Sequence, residues 1–153
     1  MLSLPNRPGT KPWTSPTNPH QQLDQNPPAE IYALLKERAF DFLHVERRPS
    51  QISVPGAEAL WLTEEKGPHR GDAFMIGKEF AHVHPPYDGS MHMALSQEDG
   101  REVSDKGWGE LHPMVLRGDI QTNTVLVYGP RDEAELDVIM QILSASYRFA
   151  RGE

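Results

Sequence analysis

This chain of 153 residues contains no cysteine. The absence excludes disulfide bonds, thiolate zinc sites, iron–sulfur clusters and cysteine nucleophiles together. No apolar run approaches the roughly 18 residues of a membrane-spanning helix, so the sequence predicts no membrane span. The N-terminal residues also lack the apolar stretch of a secretory signal, and we expect the protein in the cytoplasm.

Positive charge is scarce as well. Lysine and arginine total 15 against 22 acidic residues, which gives a net charge of −7 with neutral histidines. A chain this acidic is repelled by phosphate backbones, and it shows no basic patch, so we predict no nucleic-acid partner. It has neither a phosphate-binding loop nor a dinucleotide fingerprint. The oligomeric state is not indicated by the sequence.

Proline is concentrated at the N-terminus, where seven of the 14 prolines lie within residues 1–28. A segment so poor in apolar residues cannot bury enough surface to offset the entropy that it loses on ordering. We therefore predict that residues 1–27 form an extended or disordered arm. Trp13 is the side chain in this arm best suited to anchoring it in a groove.

Residues 28–150 are predicted to form a single α+β domain. Helices are expected at 28–39 and 97–106, and a third, strongly amphipathic helix follows the capping pattern of Asp132 and Glu135. Strand patterns occupy residues 57–63, 73–84, 90–95 and 124–128. Because the strands run together between helices, they favour an antiparallel sheet with about three helices packed against it over alternating βαβ units.

Four of the seven histidines fall within one 31-residue stretch. His82 and His84 are two residues apart, so they point to the same face of a strand. If 85–89 is a five-residue hairpin loop, His92 lies directly opposite His82, and the three imidazoles converge. A slip of one residue in the pairing would send His92 to the other face. By the same alternation, Phe80 is predicted to share the face of the histidines.

His112 is the fourth histidine of this stretch, and it shares a face with Glu110 if that segment is extended. We predict that it joins the other three in a pocket, with Glu110 and Asp88 as candidate catalytic acids. Three uses of the cluster stay open. It can hold a divalent metal ion through His82, His84, His92 and His112, because imidazole is the commonest metal ligand. It can perform acid–base chemistry without metal, or it can be structural.

Four segments carry a resemblance to a known family. They are RPSQISVPGA (48–57), AFMIGKEFAHVHPPYDGSMHM (73–93), KGWGELHP (106–113) and the stretch from Asn123 to Phe149. Together they resemble the small proteins of the luciferase family, over about residues 45–149. The resemblance implies a luciferase-like α+β domain but brings no site residues with it. The chain shows no adenylate-forming motif and no flavin fingerprint.

The leading functional hypothesis is therefore a small-molecule enzyme or binding protein of the luciferase-domain type with a histidine-rich pocket. The cofactor is not identified by the sequence beyond a divalent metal ion as a candidate. The alternative is a non-catalytic interaction domain, in which the histidine hairpin is structural.

Overall fold

The computed structural model describes residues 1–64, 71–118 and 122–153. It confirms an α+β fold built on six strands and four helices. The strands are β1 (Val45–Pro49), β2 (Glu58–Leu62), β3 (Glu79–Val83), β4 (Met91–Ala94), β5 (Gly109–Leu111) and β6 (Thr124–Val127). The helices are α1 (Ala29–Ala39), α2 (Gln97–Asp105), α3 (Pro113–Leu116) and α4 (Glu133–Ala150).

The six strands form one antiparallel sheet in the order β1-β2-β3-β4-β6-β5. The expected helices are found close to their predicted bounds, and both capping patterns are confirmed. Ser96 accepts a hydrogen bond from the backbone N–H of Asp99 (3.1 Å), and Asp132 accepts one from Glu135 (2.8 Å). The sequence did not predict β1, β5 or the short α3. The strand β1 is too charged to show an alternating strand pattern, and β5, with three residues, is too short to show one.

The two faces of the sheet have different environments. Side chains on one face form the hydrophobic core with α4, the long amphipathic helix. The core includes Leu60, Val83, Met91, Met93, Val125, Val127, Leu136, Ile139, Ile142 and Leu143. The opposite face carries His82 and His92, together with the small side chains of Ala59 and Ala94. This second face is therefore the one that positions a site.

A β-bulge interrupts the pairing of β2 with β3. Leu60 pairs with Ala81, whereas the next residue, Trp61, pairs with Glu79, so Phe80 is the extra residue of β3. An extra residue reverses the alternation of faces. Phe80 consequently packs in the core, 6.1 Å from the ring centroid of Tyr147 on α4. The prediction that Phe80 shares the face of the histidines is wrong for this reason.

The N-terminal segment, residues 1–27, lies along the domain without forming a helix or a named strand. Leu2 and Leu4 are buried members of the core. Their backbone N–H groups donate to carboxylates of α2, and Pro5 accepts a hydrogen bond from the indole of Trp108 (2.7 Å). Trp13, by contrast, is 75% exposed. Leucines therefore anchor the start of this segment, and the prediction that Trp13 holds it in a groove is wrong.

Among the described residues, no helix combines the length and the apolar character that crossing a lipid bilayer requires.

Candidate functional site

The histidine hairpin has the predicted register. His82 pairs with His92 across β3 and β4, and the backbone N–H of His84 donates to Ser90 (2.9 Å). Gly89 closes the intervening loop with a positive φ of 77°, which glycine adopts without strain. The three imidazoles therefore share one face of one hairpin, and all three are buried.

Three ring nitrogens converge at the centre of the hairpin. His92 Nδ1 lies 3.2 Å from His82 Nε2 and 3.0 Å from His84 Nε2. Two nitrogens that ligate one tetrahedral zinc ion, each at about 2.0–2.1 Å, lie about 3.3 Å apart. The spacing of His82, His84 and His92 is therefore the spacing of a metal-ligand set.

Glu79 orients His82. Its carboxylate lies 2.8 Å from His82 Nδ1 and also accepts hydrogen bonds from the Ser50 hydroxyl (2.8 Å) and the Gln51 backbone N–H (3.3 Å). A carboxylate only accepts hydrogen bonds, so Nδ1 of His82 carries the proton. The lone pair of His82 is then on Nε2, the nitrogen that faces His92.

Asp88 has the same relation to His84. Its Oδ2 lies 3.1 Å from His84 Nδ1, and its Oδ1 accepts hydrogen bonds from both the hydroxyl and the backbone N–H of Ser90. Burial alone would raise the pKa of Asp88, but the hydrogen bonds from His84 and Ser90 outweigh burial and lower it. His84 therefore also presents an Nε2 lone pair to His92.

His20, from the N-terminal segment, completes the cluster. Its Nδ1 lies 3.0 Å from His92 Nε2, and its Nε2 lies 3.1 Å from a carboxylate oxygen of Glu110. Glu110 fixes the proton of His20 on Nε2, so Nδ1 of His20 accepts from Nε2–H of His92. This arrangement leaves the lone pair of His92 on Nδ1. Three lone pairs, on His82, His84 and His92, thus point to one position.

Glu110 is held from three sides. It accepts hydrogen bonds from the hydroxyls of Thr14 (3.0 Å) and Tyr128 (2.7 Å), as well as from His20. Burial would raise the pKa of Glu110, but these hydrogen bonds lower it. Burial and the hydrogen bond to Glu110 raise the pKa of Tyr128 well above its ordinary value, so Tyr128 remains a donor.

His112 lies beside the cluster, with its ring centroid 5.0 Å from that of His92. It is the N-cap residue of α3, and its Nδ1 accepts the backbone N–H of Met114 (3.0 Å). The neutral ring therefore carries its proton on Nε2. His112 also belongs to a second group, with His20 and His92, whose nitrogens lie within 4.8 Å of one another.

Burial lowers the pKa of three of these histidines. It lowers the pKa of His82, and it lowers the pKa of His112 to about 4. The pKa of His92 is well below its ordinary value, because the ring is buried and is surrounded by four other imidazoles. The protonated forms of His82 and His92 are therefore disfavoured.

A cavity of about 460 Å³ opens onto the five imidazoles of His20, His82, His84, His92 and His112. Its other walls are mainly apolar and come from the N-terminal segment, the loop after β1, the stretch before β3, α3 and the start of β6. They include Pro19, Ile52, Val54, Met75 and Met114. The volume is within the range of small-molecule sites, about 300–1,000 Å³.

Every histidine that the sequence analysis selected lines this cavity: His82, His84 and His92 form the convergent group, and His112 lies beside it. Glu110 and Asp88 each contact a different histidine of the cavity. Two members of the site were missed, Glu79 and His20. Alternation placed Glu79 on the opposite face, and a bulge is not visible in the residue pattern. His20 lies in a proline-rich segment that was treated as an arm, so nothing local linked it to the hairpin.

Comparison with known proteins relates the sequence to one family. Residues 77–146, which include β3, β4, β6 and most of α4, match the model of the luciferase domain. The chain is related to the luciferase-domain proteins. The resemblance predicted from the sequence is thereby confirmed, and the matched residues include both strands of the histidine hairpin.

Relatives named "Luciferase" occur in several fungi. Those of Armillaria mellea and Armillaria gallica are each 31% identical over 162 residues, covering 95% of this chain and 60% of the relative. The luciferase of Neonothopanus nambi is 41% identical over 71 residues, covering 45% of this chain and 27% of the relative. The chain thus spans 60% of the length of the Armillaria proteins. No solved structure matches it.

Proposed function

We propose that this luciferase-domain protein is a small-molecule enzyme whose histidine cluster holds a divalent metal ion. One observation supports this proposal above all. His82 Nε2, His84 Nε2 and His92 Nδ1 each present a lone pair to one position, at mutual distances of 3.0–3.2 Å for the pairs that include His92. Facing lone pairs repel one another unless a cation lies between them.

The outer contacts of the three histidines support the same proposal. Glu79 contacts Nδ1 of His82, and Asp88 contacts Nδ1 of His84. Glu110 contacts His20, which in turn contacts Nε2 of His92. Metal-ligating histidines commonly donate their second ring N–H to a carboxylate, which fixes the tautomer and strengthens the ligand. We propose that Asp88 and Glu110, first considered as catalytic acids, act in this way as positioning residues.

The cavity supports an enzyme rather than a structural metal site. Three protein ligands with a further position open to a cavity are typical of catalytic zinc sites, whereas structural sites are closed by four. His112 lines the same cavity with its proton on Nε2, so we propose that it donates to the bound molecule and does not ligate the metal. The bound ion would act as a Lewis acid toward that molecule.

The relatives are named luciferases, and this relation supports an enzymatic function for the chain. The chain spans 60% of the length of the Armillaria proteins. We therefore propose for this chain only that it acts on a small molecule, and not that it has the full activity of those proteins. A small molecule, rather than nucleic acid, remains the predicted partner. The cytoplasmic location remains a prediction.

Metal analysis tests the first half of the proposal. Protein purified without an affinity tag should contain close to one equivalent of a divalent metal ion, or take up one equivalent of Zn²⁺ or Co²⁺ in solution. The double variant His82→Ala/His92→Ala should lose that equivalent and still fold. His44→Asn is the matched control, since His44 is exposed and asparagine tolerates its positive φ. A wild-type protein that contains no metal and binds neither Zn²⁺ nor Co²⁺ would contradict the proposed metal site.

A turnover assay tests the second half of the proposal, which is that the protein is an enzyme. The protein is incubated with a fungal small-molecule extract, and compounds are compared by mass spectrometry before and after. We expect at least one compound to be consumed by the metal-loaded wild type and by His44→Asn, but not by the double variant. Consumption that survives metal removal would favour metal-free acid–base chemistry by the histidines. No consumption under any condition would favour the non-catalytic interaction domain.

A further inference from the structure

One carboxylate of the site takes its hydrogen bonds from a distant loop. Glu79 is fully buried, and besides His82 it is contacted by the Ser50 hydroxyl (2.8 Å) and the Gln51 backbone N–H (3.3 Å). Among the residues that the structure describes, no other hydrogen bond reaches this carboxylate. A buried carboxylate needs such donors, because it has lost its hydrogen bonds to water. The position of Glu79 therefore depends on the loop after β1, residues 50–56.

The same loop is a wall of the cavity, to which it contributes Ile52, Ser53 and Val54. The backbone N–H of Ser50 donates to the carbonyl of Ala57 (3.0 Å) and closes the base of the loop. The hydrogen bonds described for residues 51–56 run within the loop, to its base or to the Glu79 carboxylate. Above its base, the loop is thus hydrogen-bonded to the sheet through this carboxylate.

The Ser50 hydroxyl lies at the junction of the loop and the carboxylate. It donates to the same Glu79 oxygen that contacts His82 Nδ1. It also accepts the backbone N–H groups of Ile52 (3.3 Å) and Ser53 (3.2 Å). A hydroxyl has one proton and two lone pairs, so all of its hydrogen-bonding capacity is used. One side chain therefore holds both the cavity loop and the carboxylate of His82.

His84 provides a contrast. The two shortest hydrogen bonds of its carboxylate, Asp88, come from the hydroxyl and the backbone N–H of Ser90, only two residues away in the same hairpin. The local geometry of the hairpin thus holds Asp88 against His84. A wall of the cavity, by contrast, holds Glu79 against His82. Two similar pairs of imidazole and carboxylate therefore differ in what positions them, and the His84 pair can serve as an internal control.

We propose that Ser50 is a positioning residue that ties the cavity wall to His82 through Glu79. A displacement of the loop withdraws the Ser50 donor and releases the carboxylate that orients the imidazole. A molecule that packs on Ile52 and Val54 therefore acts on His82 without contacting its ring. Such coupling is reciprocal, so a change at His82 also alters the loop. The inference rests on the proposed function only in taking this cavity as the ligand site, and it does not involve the metal ion.

The test compares Ser50→Ala with Ser50→Thr, which keeps the hydroxyl. Ser53→Ala is the control, because it removes from the same loop a hydroxyl that has no hydrogen bond to the described residues. NMR of ¹⁵N-labelled, chelator-treated protein measures how fast the imidazole N–H protons of His82 and His84 exchange with water. In Ser50→Ala we expect the exchange at His82 Nδ1 to accelerate about 10-fold or more. Ser50→Thr and Ser53→Ala should match the wild type, and His84 should be unchanged in all variants.

The reciprocal measurement starts from the imidazoles. His82→Ala should accelerate the exchange of the backbone amides of Ile52 and Ser53 about 5-fold or more, whereas His84→Ala should leave them unchanged. Equal effects of the two histidine variants would contradict a specific link between His82 and the loop. Circular dichroism of each variant confirms that it is folded.

Three results of the first measurement would overturn the proposal. They are an unchanged His82 proton in Ser50→Ala, an equal acceleration at His84, which would indicate general loosening, and a failure of Ser50→Thr to restore slow exchange. Fast exchange of the His82 proton in the wild type would overturn it as well, because a fixed carboxylate protects that proton. Since the protein is free of metal, a wild type that binds no ion but shows the expected pattern would contradict the metal site and support the role of Ser50.

Discussion

His82 Nδ1 lies 2.8 Å from a carboxylate oxygen of Glu79, three residues earlier in the same strand. In a regular strand, residues three apart point to opposite faces. The bulge at Phe80 changes this alternation. The Phe80 side chain packs in the core, and Glu79 therefore lies on the same face as the histidines. The local irregularity thus supplies the first imidazole of the proposed metal site with its carboxylate.

Replacing this carboxylate tests its role. Glu79→Gln keeps the shape of the side chain but removes the charge that holds the proton of His82 on Nδ1. We expect the affinity for Zn²⁺ to fall about 10- to 100-fold, measured by competition with a chromophoric chelator. Glu46→Gln is the control, because Glu46 is an exposed carboxylate of β1 paired with Arg48. Equal affinities of the two variants would contradict the assignment of Glu79.

The relay from Glu110 through His20 to His92 predicts a non-additive pair of substitutions. His20→Ala and Glu110→Gln should each lower Zn²⁺ affinity, since each leaves the tautomer of His92 unfixed. Because both act through the same hydrogen-bonded chain, the double variant should bind no more weakly than the worse single variant. Full additivity would indicate that the two residues act separately. Uptake of two equivalents of metal by the wild type would make His20 a ligand rather than a positioning residue.

Acid should destabilise the metal-free protein in a defined pH range. The pKa of His112 is lowered from 6.5 to about 4 by burial, so the unfolded chain binds more protons than the folded one between these values. The contribution to stability is complete above about pH 6.5 and is lost as the pH falls toward 4. It amounts to at most about 3 kcal/mol. Urea unfolding of chelator-treated protein at several pH values measures it.

The variant His112→Asn isolates that contribution. Asparagine does not titrate, and it is a favoured N-cap residue, so it can still accept the N–H of Met114 at the start of α3. We expect the free energy of unfolding of this variant to fall less steeply between pH 6.5 and 4 than that of the wild type. The same slope in both proteins would exclude His112 as a source of the acid sensitivity.

The packing of the N-terminal segment predicts a difference between two leucines. Leu4 is 4% exposed and belongs to the core, whereas Leu23, in the same segment, is 59% exposed. Leu4→Ala should destabilise the protein by about 2–5 kcal/mol, and Leu23→Ala should change its stability by less than about 0.5 kcal/mol. Chemical denaturation measures both. A small effect of Leu4→Ala would show that the segment does not pack on the domain in solution.

The histidine hairpin illustrates how far a local pattern reaches. Alternation along a strand and a five-residue loop were enough to predict that His82 faces His92, because both are properties of neighbouring residues. The helices after Ser96 and Asp132 were predictable for the same reason, since a capping side chain bonds an N–H only three residues away. Proximity along the chain leaves few alternative geometries in these elements.

The amino-acid sequence by itself determined the fold class, the hairpin and the concentration of imidazoles on it. Tertiary structure alone decided that His20 meets His92 from 72 residues away and that Glu79 turns toward His82. The physical reason is that such contacts depend on the total free energy of burying distant segments together. The sidedness of a strand or a helix end depends only on residues within a few positions.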